Sequence, residues 1–170
     1  KGYCSNETYN TCPPNNITSF KNTIKNYLIV VSKNHLYDQN IEIETGNEPY
    51  YYKFFLYNLS NESTERYIEY KIISDAVYDA VKEYNSSIPV IVGGGIKQSN
   101  RYRDNFVEYI LDNITKMDGV SIHPYSDNSY IKENVIEKYL DKLMQNCLKY
   151  NANCSRIVLS EWGLVDYTLK

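Results

Sequence analysis

Apolar residues recur along the chain in two rhythms. Spacings of three and four residues mark helices, and short alternating or continuous runs mark strands. Phe20, Ile24, Tyr27, Leu28 and Val31 predict a helix over 17–36. The alternating segment Asn40-Ile41-Glu42-Ile43-Glu44-Thr45 predicts a short strand that ends at Gly46. Ile68, Ile72, Ile73, Ala76, Val77, Ala80, Val81 and Tyr84 predict an amphipathic helix over 64–84. Pro89-Val90-Ile91-Val92 runs into Gly93-Gly94-Gly95 and predicts a strand covered on both faces. Phe106, Val107, Ile110, Leu111 and Ile114 predict a helix over 102–116, and Gly119-Val120-Ser121-Ile122 a third strand. The pairs Val135/Ile136, Tyr139/Leu140, Leu143/Met144 and Cys147/Leu148 repeat every four residues and predict a helix over 131–150. Arg156-Ile157-Val158-Leu159-Ser160 predicts the fourth strand.

Short apolar strands separated by long helices predict an α/β fold with a parallel sheet. Two architectures fit: an open doubly wound sheet, or part of a (β/α)8 barrel. Gly95 is followed by Ile96, Lys97 and Gln98, so the dinucleotide fingerprint is absent, and no phosphate loop occurs elsewhere. Nucleotide chemistry therefore has no support, and no cofactor is expected. At 170 residues, the chain is one domain or a large piece of one. A formal charge of -3 argues against a nucleic-acid partner, and no apolar run is long enough to cross a membrane.

Asparagine and tyrosine are over-used, and seven Asn-X-Ser/Thr acceptor sites result, at Asn6, Asn16, Asn58, Asn61, Asn85, Asn113 and Asn153. The cysteines fall in two close pairs, Cys4 with Cys12 and Cys147 with Cys154. Four cysteines allow three connectivities, and the two local pairings lie within easiest reach. With only His35 and His123 in the chain, zinc-finger spacing is absent and no metal site is expected. Acceptor sites and paired cysteines together point to a secreted or cell-surface glycoprotein. Residues 1–16, with two prolines and two cysteines, are expected to form a disulfide-tied N-terminal loop ahead of a domain over 17–170.

In parallel α/β folds, chemistry gathers at the carboxyl ends of the strands. Those positions hold Asn47-Glu48-Pro49, then Gly93-Gly94-Gly95, then His123-Pro124-Tyr125, then Glu161-Trp162-Gly163. Two carboxylates beside flat aromatic surfaces are the inventory of glycosidic bond cleavage, in which one carboxyl donates a proton and the other attacks. Sugar rings present C–H faces that pack on Trp and Tyr.

The run Ile43-Glu44-Thr45-Gly46-Asn47-Glu48-Pro49 resembles the strand-four ending of the clan A retaining glycoside hydrolases, a large group of (β/α)8 barrels. Leu159-Ser160-Glu161-Trp162-Gly163 resembles their strand-seven ending, and Ser121-Ile122-His123-Pro124-Tyr125 their strand-six ending. The resemblance implies that Glu48 is the acid/base and Glu161 the nucleophile. It further implies that Asn47 bonds the sugar 2-hydroxyl, that Tyr125 orients Glu161, and that His123 and Trp162 join Asn47 and Tyr125 around the substrate. It covers barrel strands four to seven. A full barrel of about 250 residues would need a remainder outside this sequence, so the chain is expected to be a fragment that partners the rest of the barrel. A second class stays open: a non-catalytic domain of a surface glycoprotein that binds glycans or builds structure.

Overall fold

The computed structural model describes residues 12–34, 41–50, 55, 63–96, 101–123, 125–126, 135–161 and 163–164, with side chains at all of these except 95–96, 101–104, 125–126, 135–136 and 163–164. The elements run α1 (Ile17–Lys33), β1 (Ile43–Glu44), α2 (Thr64–Tyr84), β2 (Val90–Ile96), α3 (Arg101–Asn113), β3 (Gly119–Ile122), β4 (Tyr125–Ser126), α4 (Val135–Tyr150), β5 (Ile157–Leu159) and β6 (Gly163–Leu164). The α2 and β3 boundaries coincide with those expected from periodicity. The outer strands are shorter than expected, and α1 stops at Asn34, whose side chain turns back to the carbonyl of Val30. At its start, the Asn16 side chain accepts from the Ser19 N–H, a standard N-cap. Lys33, Lys82 and Lys149 sit in last turns, where they face the negative end of the helix dipole.

The main sheet has four strands in the order β1-β2-β3-β5, every pair parallel. A doubly wound sheet reverses direction at a switch point. Here the strands keep their chain order from one edge to the other, so the chain forms part of a (β/α)8 barrel with parallel strands. The paired strands β4 and β6 add a small parallel ribbon that the apolar pattern does not announce.

Register fixes the two faces. Val90, Val92, Val120, Ile122 and Ile157 share one side and pack against the helices. On that side Tyr67, Tyr70, Phe106, Ile110 and Leu143 form the main core, and Leu28, Val77, Val81 and Ile88 form a second one under α1. By alternation Glu44, Ile91, Ser121 and Val158 face the other side, the interior of the barrel. Polar contacts span that interior from one edge strand to the other. Glu42 pairs with Arg156, and the Glu44 carboxylate accepts from the Ser160 hydroxyl at 3.0 Å.

The buried face of α2 differs from the one read from its isoleucines. Ile68 is 44% exposed and Ile72 is also exposed, whereas Arg66, Tyr67, Glu69, Tyr70 and Ser74 are buried. The first half of α2 leans over the ends of β1 and β2, and those ends present backbone polar groups that need hydroxyl partners. Likewise, Leu143 and Cys147 of α4 are buried, while Met144 and Leu148 face outward, Leu148 at 78%. Arg66 is deeply enclosed, and burial pulls its guanidinium down to about 10. On the surface, Lys21 and Lys25 of α1 both bond Glu83 of α2, which holds the Glu83 carboxyl down to about 2.

Asn151 ends α4 in a left-handed conformation, φ 51°, and turns the chain so that Cys154 reaches Cys147. This disulfide is one of the two local pairings expected. Cys12 is also disulfide-bonded, and Cys4 lies outside the described residues. The Cys147–Cys154 bridge closes a short loop, with a sequence separation of 7. Replacing both cysteines with serine is expected to lower unfolding free energy by about 2 kcal/mol, the loop-closure entropy of a ring that small. Urea denaturation of the two proteins checks this. No difference would mean that the α4 C-terminus is held by packing alone.

Candidate active site

The loop after β1 carries Asn47 and Glu48. Its path is set by contacts to the end of β2. The Thr45 N–H donates to the Ile91 carbonyl at 2.9 Å, and the Glu48 N–H donates to the Gly94 carbonyl. Gly93 and Gly94 have positive φ, and the β2–β3 register slips between Val92 and Ile96, so the three glycines form a bulge. A Cβ on Gly94 would lie 2.7 Å from the Gly46 carbonyl oxygen and 2.8 Å from Pro49 Cδ. Gly94 therefore serves close backbone approach of two loops. Glu48 itself sits at φ 39°, a conformation that costs a non-glycine residue energy and recurs at functional sites.

Beneath this loop lies the Tyr70 hydroxyl. It accepts from the Gly93 N–H at 2.8 Å and donates to the Thr45 carbonyl at 2.8 Å. The Thr45 hydroxyl lies 2.8 Å away, and Ser74 donates to it at 3.3 Å. Burial pushes the Tyr70 phenol above its ordinary range, so it stays a neutral donor. Tyr70 thus ties the ends of β1 and β2 together three residues before Glu48.

His123 follows β3, and its ring is 1% exposed. Nδ1 lies 3.2 Å from Glu48 Oε1 and 3.6 Å from Glu161 Oε2. Nε2 lies 3.1 Å from Ser160 Oγ. Glu161 follows β5, so three strand ends deliver Glu48, His123 and Glu161 to one point. The two carboxylate oxygens nearest Nδ1 can be no further apart than the sum of their distances to it, a bound just under about 7 Å. Retaining carboxylate pairs sit about 5–5.5 Å apart, inside that bound.

The other expected residues fall as follows. Asn47 is exposed beside Glu48. Tyr125 stands in β4 opposite Gly163, but its side chain lies outside the described residues, as does Trp162 altogether. Among the acceptor asparagines, Asn16 caps α1, Asn85 and Asn113 lie at helix ends, and Asn153 donates to the Met117 carbonyl. Asn6, Asn58 and Asn61 lie outside the described residues. No described helix is long and apolar enough to cross a membrane. The sequence reading did not reach Glu44, Thr45, Tyr70 or Ser160. Glu44 and Ser160 stood in plain view as polar residues at inward strand positions. Tyr70 lies off the apolar stripe through Ile68, Ile72 and Ile73, so periodicity carries no signal for it.

The fold is shared with a known enzyme. The chain is similar to a glucosidase from Croceicoccus marinus, with a TM-score of 0.65 and 17% sequence identity over 95% of this chain and 33% of that chain. The chain therefore spans about a third of that glucosidase's length. The likeness is one of fold. No family model matches the sequence, and no curated protein matches it.

Proposed function

We propose that the chain carries the paired carboxylates of a glycoside hydrolase that cleaves oligo- or polysaccharide with retention of anomeric configuration. One observation carries this reading: a single buried imidazole nitrogen contacts both Glu48 and Glu161. The similarity to a glucosidase fold supports it. The side chains differ in exposure, 19% for Glu48 and 47% for Glu161. Such unlike surroundings suit two carboxyls with unlike roles.

In the first step a Glu161 oxygen bonds to the anomeric carbon. The bond to the leaving oxygen breaks, and the Glu48 proton passes to that oxygen. In the second step water attacks the anomeric carbon, Glu48 takes the water proton, and the ester to Glu161 breaks. No bound metal or organic group enters these steps. Asn47, exposed next to Glu48, is assigned to the sugar 2-hydroxyl, and Tyr125 and Trp162 to the substrate's aromatic surroundings. The Cys147–Cys154 bridge and the exposed acceptor asparagines support an exported glycoprotein.

The test is stereochemical. A panel of aryl glycosides is incubated with the protein, and the first-formed anomer is read by proton NMR. Retention is the expected result. Inversion would exclude Glu161 as nucleophile, and binding of glycans without hydrolysis would favour the non-catalytic class.

A further inference from the structure

The contacts around His123 extend past the two carboxylates to a residue on the far edge of the sheet. Ser160 Oγ lies between His123 Nε2, at 3.1 Å, and Glu44 Oε1, at 3.0 Å. A serine hydroxyl has one proton to give, and an ionised carboxylate has none. The Ser160 proton therefore goes to Glu44. Toward His123 the same oxygen is left as an acceptor, so Nε2 must carry a proton. If the ring were protonated on Nδ1 alone, Ser160 would have to donate to Nε2. Its bare oxygen would then face the Glu44 carboxylate, with two acceptors meeting at hydrogen-bond distance.

With Nε2 protonated, Nδ1 faces Glu48 Oε1 at 3.2 Å. That contact holds together only if it contains a proton, on the imidazole or on the carboxyl. Either placement leaves the cluster of Glu48, His123 and Glu161 with the same net charge. We propose that Glu44 and Ser160 are positioning residues: they fix the proton of His123 on Nε2, so that the Nδ1–Glu48 contact stores the one proton that the acid step consumes. The storage role rests on the glycosidase reading, whereas the ring's protonation pattern follows from these contacts alone. Glu44 comes from β1 and Ser160 from the end of β5, so the device works only while the curved sheet keeps its two edges in touch.

The experiment uses the full chain labelled with 15N-histidine. It has only two histidines, His35 and His123, so a long-range 1H–15N spectrum shows two rings, and His35→Gln assigns them. The expected wild-type spectrum has His123 protonated on Nε2. Ser160→Ala and Glu44→Gln are expected to raise the Nδ1–H tautomer to a sizeable fraction, and Ser160→Thr, which keeps the hydroxyl, to restore the wild-type pattern. On a glycoside with a poor leaving group, whose cleavage needs the acid, Ser160→Ala is expected to lower kcat about tenfold or more with KM within about twofold, and Ser160→Thr to recover most of it. A wild-type ring protonated on Nδ1 alone would overturn the proposal, as would an unchanged pattern in both variants. If a variant fails to fold, the wild-type spectrum still decides. Absence of hydrolysis with the expected spectrum would sink the glycosidase reading and leave the protonation pattern standing.

Discussion

Turnover of an activated aryl glycoside by Glu161→Gln is expected to fall about a thousandfold or more, a loss of about 4 kcal/mol in transition-state stabilisation. The substitution keeps the side chain's shape and hydrogen-bonding reach but removes the attacking oxygen's charge. Ground-state contact with the sugar survives, so the dissociation constant for a slow substrate is expected to change little. Glu48→Gln gives the contrasting result. A leaving group that departs without a proton needs no acid, so its cleavage step is largely spared, while a poor leaving group loses about a hundredfold or more. Measured together, the two variants separate attack from proton donation. If Glu161→Gln keeps near-wild-type turnover, Glu161 is not the nucleophile, whatever its distance from His123.

Gly94→Ala is expected to destabilise the protein by about 3 kcal/mol, combining strain at positive φ with overpacking, and to depress turnover as well. Gly94 stands at φ 51°, and its missing side chain is the space occupied by the Gly46 carbonyl and the Pro49 ring. Those atoms belong to the backbone and a rigid ring, so the loop has to lift. Glu48 is bonded through its N–H to the Gly94 carbonyl and has to move with it. Gly46→Ala is the control. It also sits at positive φ, 80°, but among the described residues a Cβ there meets only Tyr70 Cε2, at an ordinary 3.6 Å. Its expected cost is about 1 kcal/mol of strain. Equal losses for the two variants in urea denaturation would remove close approach as the reason for the glycine at 94.

The hydrophobic pattern was enough to place the helices and the strands of the main sheet because each element buries one face, and the period of that face is local information. It located the candidate site for a related reason: strand ends follow directly once the strands are known. It failed where the answer depended on partners distant in the chain. Tyr70 is buried in preference to Ile68 because the ends of β1 and β2 offer a carbonyl and an N–H to its hydroxyl. Nothing within α2 reveals those partners. In sequence the glycines after Val92 mark a strand end without a nucleotide fingerprint, and nothing local shows that Gly94 makes room for a loop almost fifty residues earlier. The Glu44–Ser160 contact joins residues 116 apart in the chain. It forms through the curvature of a whole sheet, which no window of sequence contains. The ribbon of β4 and β6 is two residues wide on each side, too short for any periodicity.

Open sheet edges invite foreign strands, and edge charges that point inward are one defence against them. Both outer strands of this sheet are flanked by such charges, Glu42 and Glu44 at β1 and Arg156 at β5, and each is engaged with a partner on the opposite edge. A strand that joins either edge out of register would have to desolvate or break these links before it could pair. Alongside the proton positioning proposed for Glu44, these contacts therefore disfavour stray pairing at the edges, so variants at Glu42, Glu44 or Arg156 are expected to change how the protein associates.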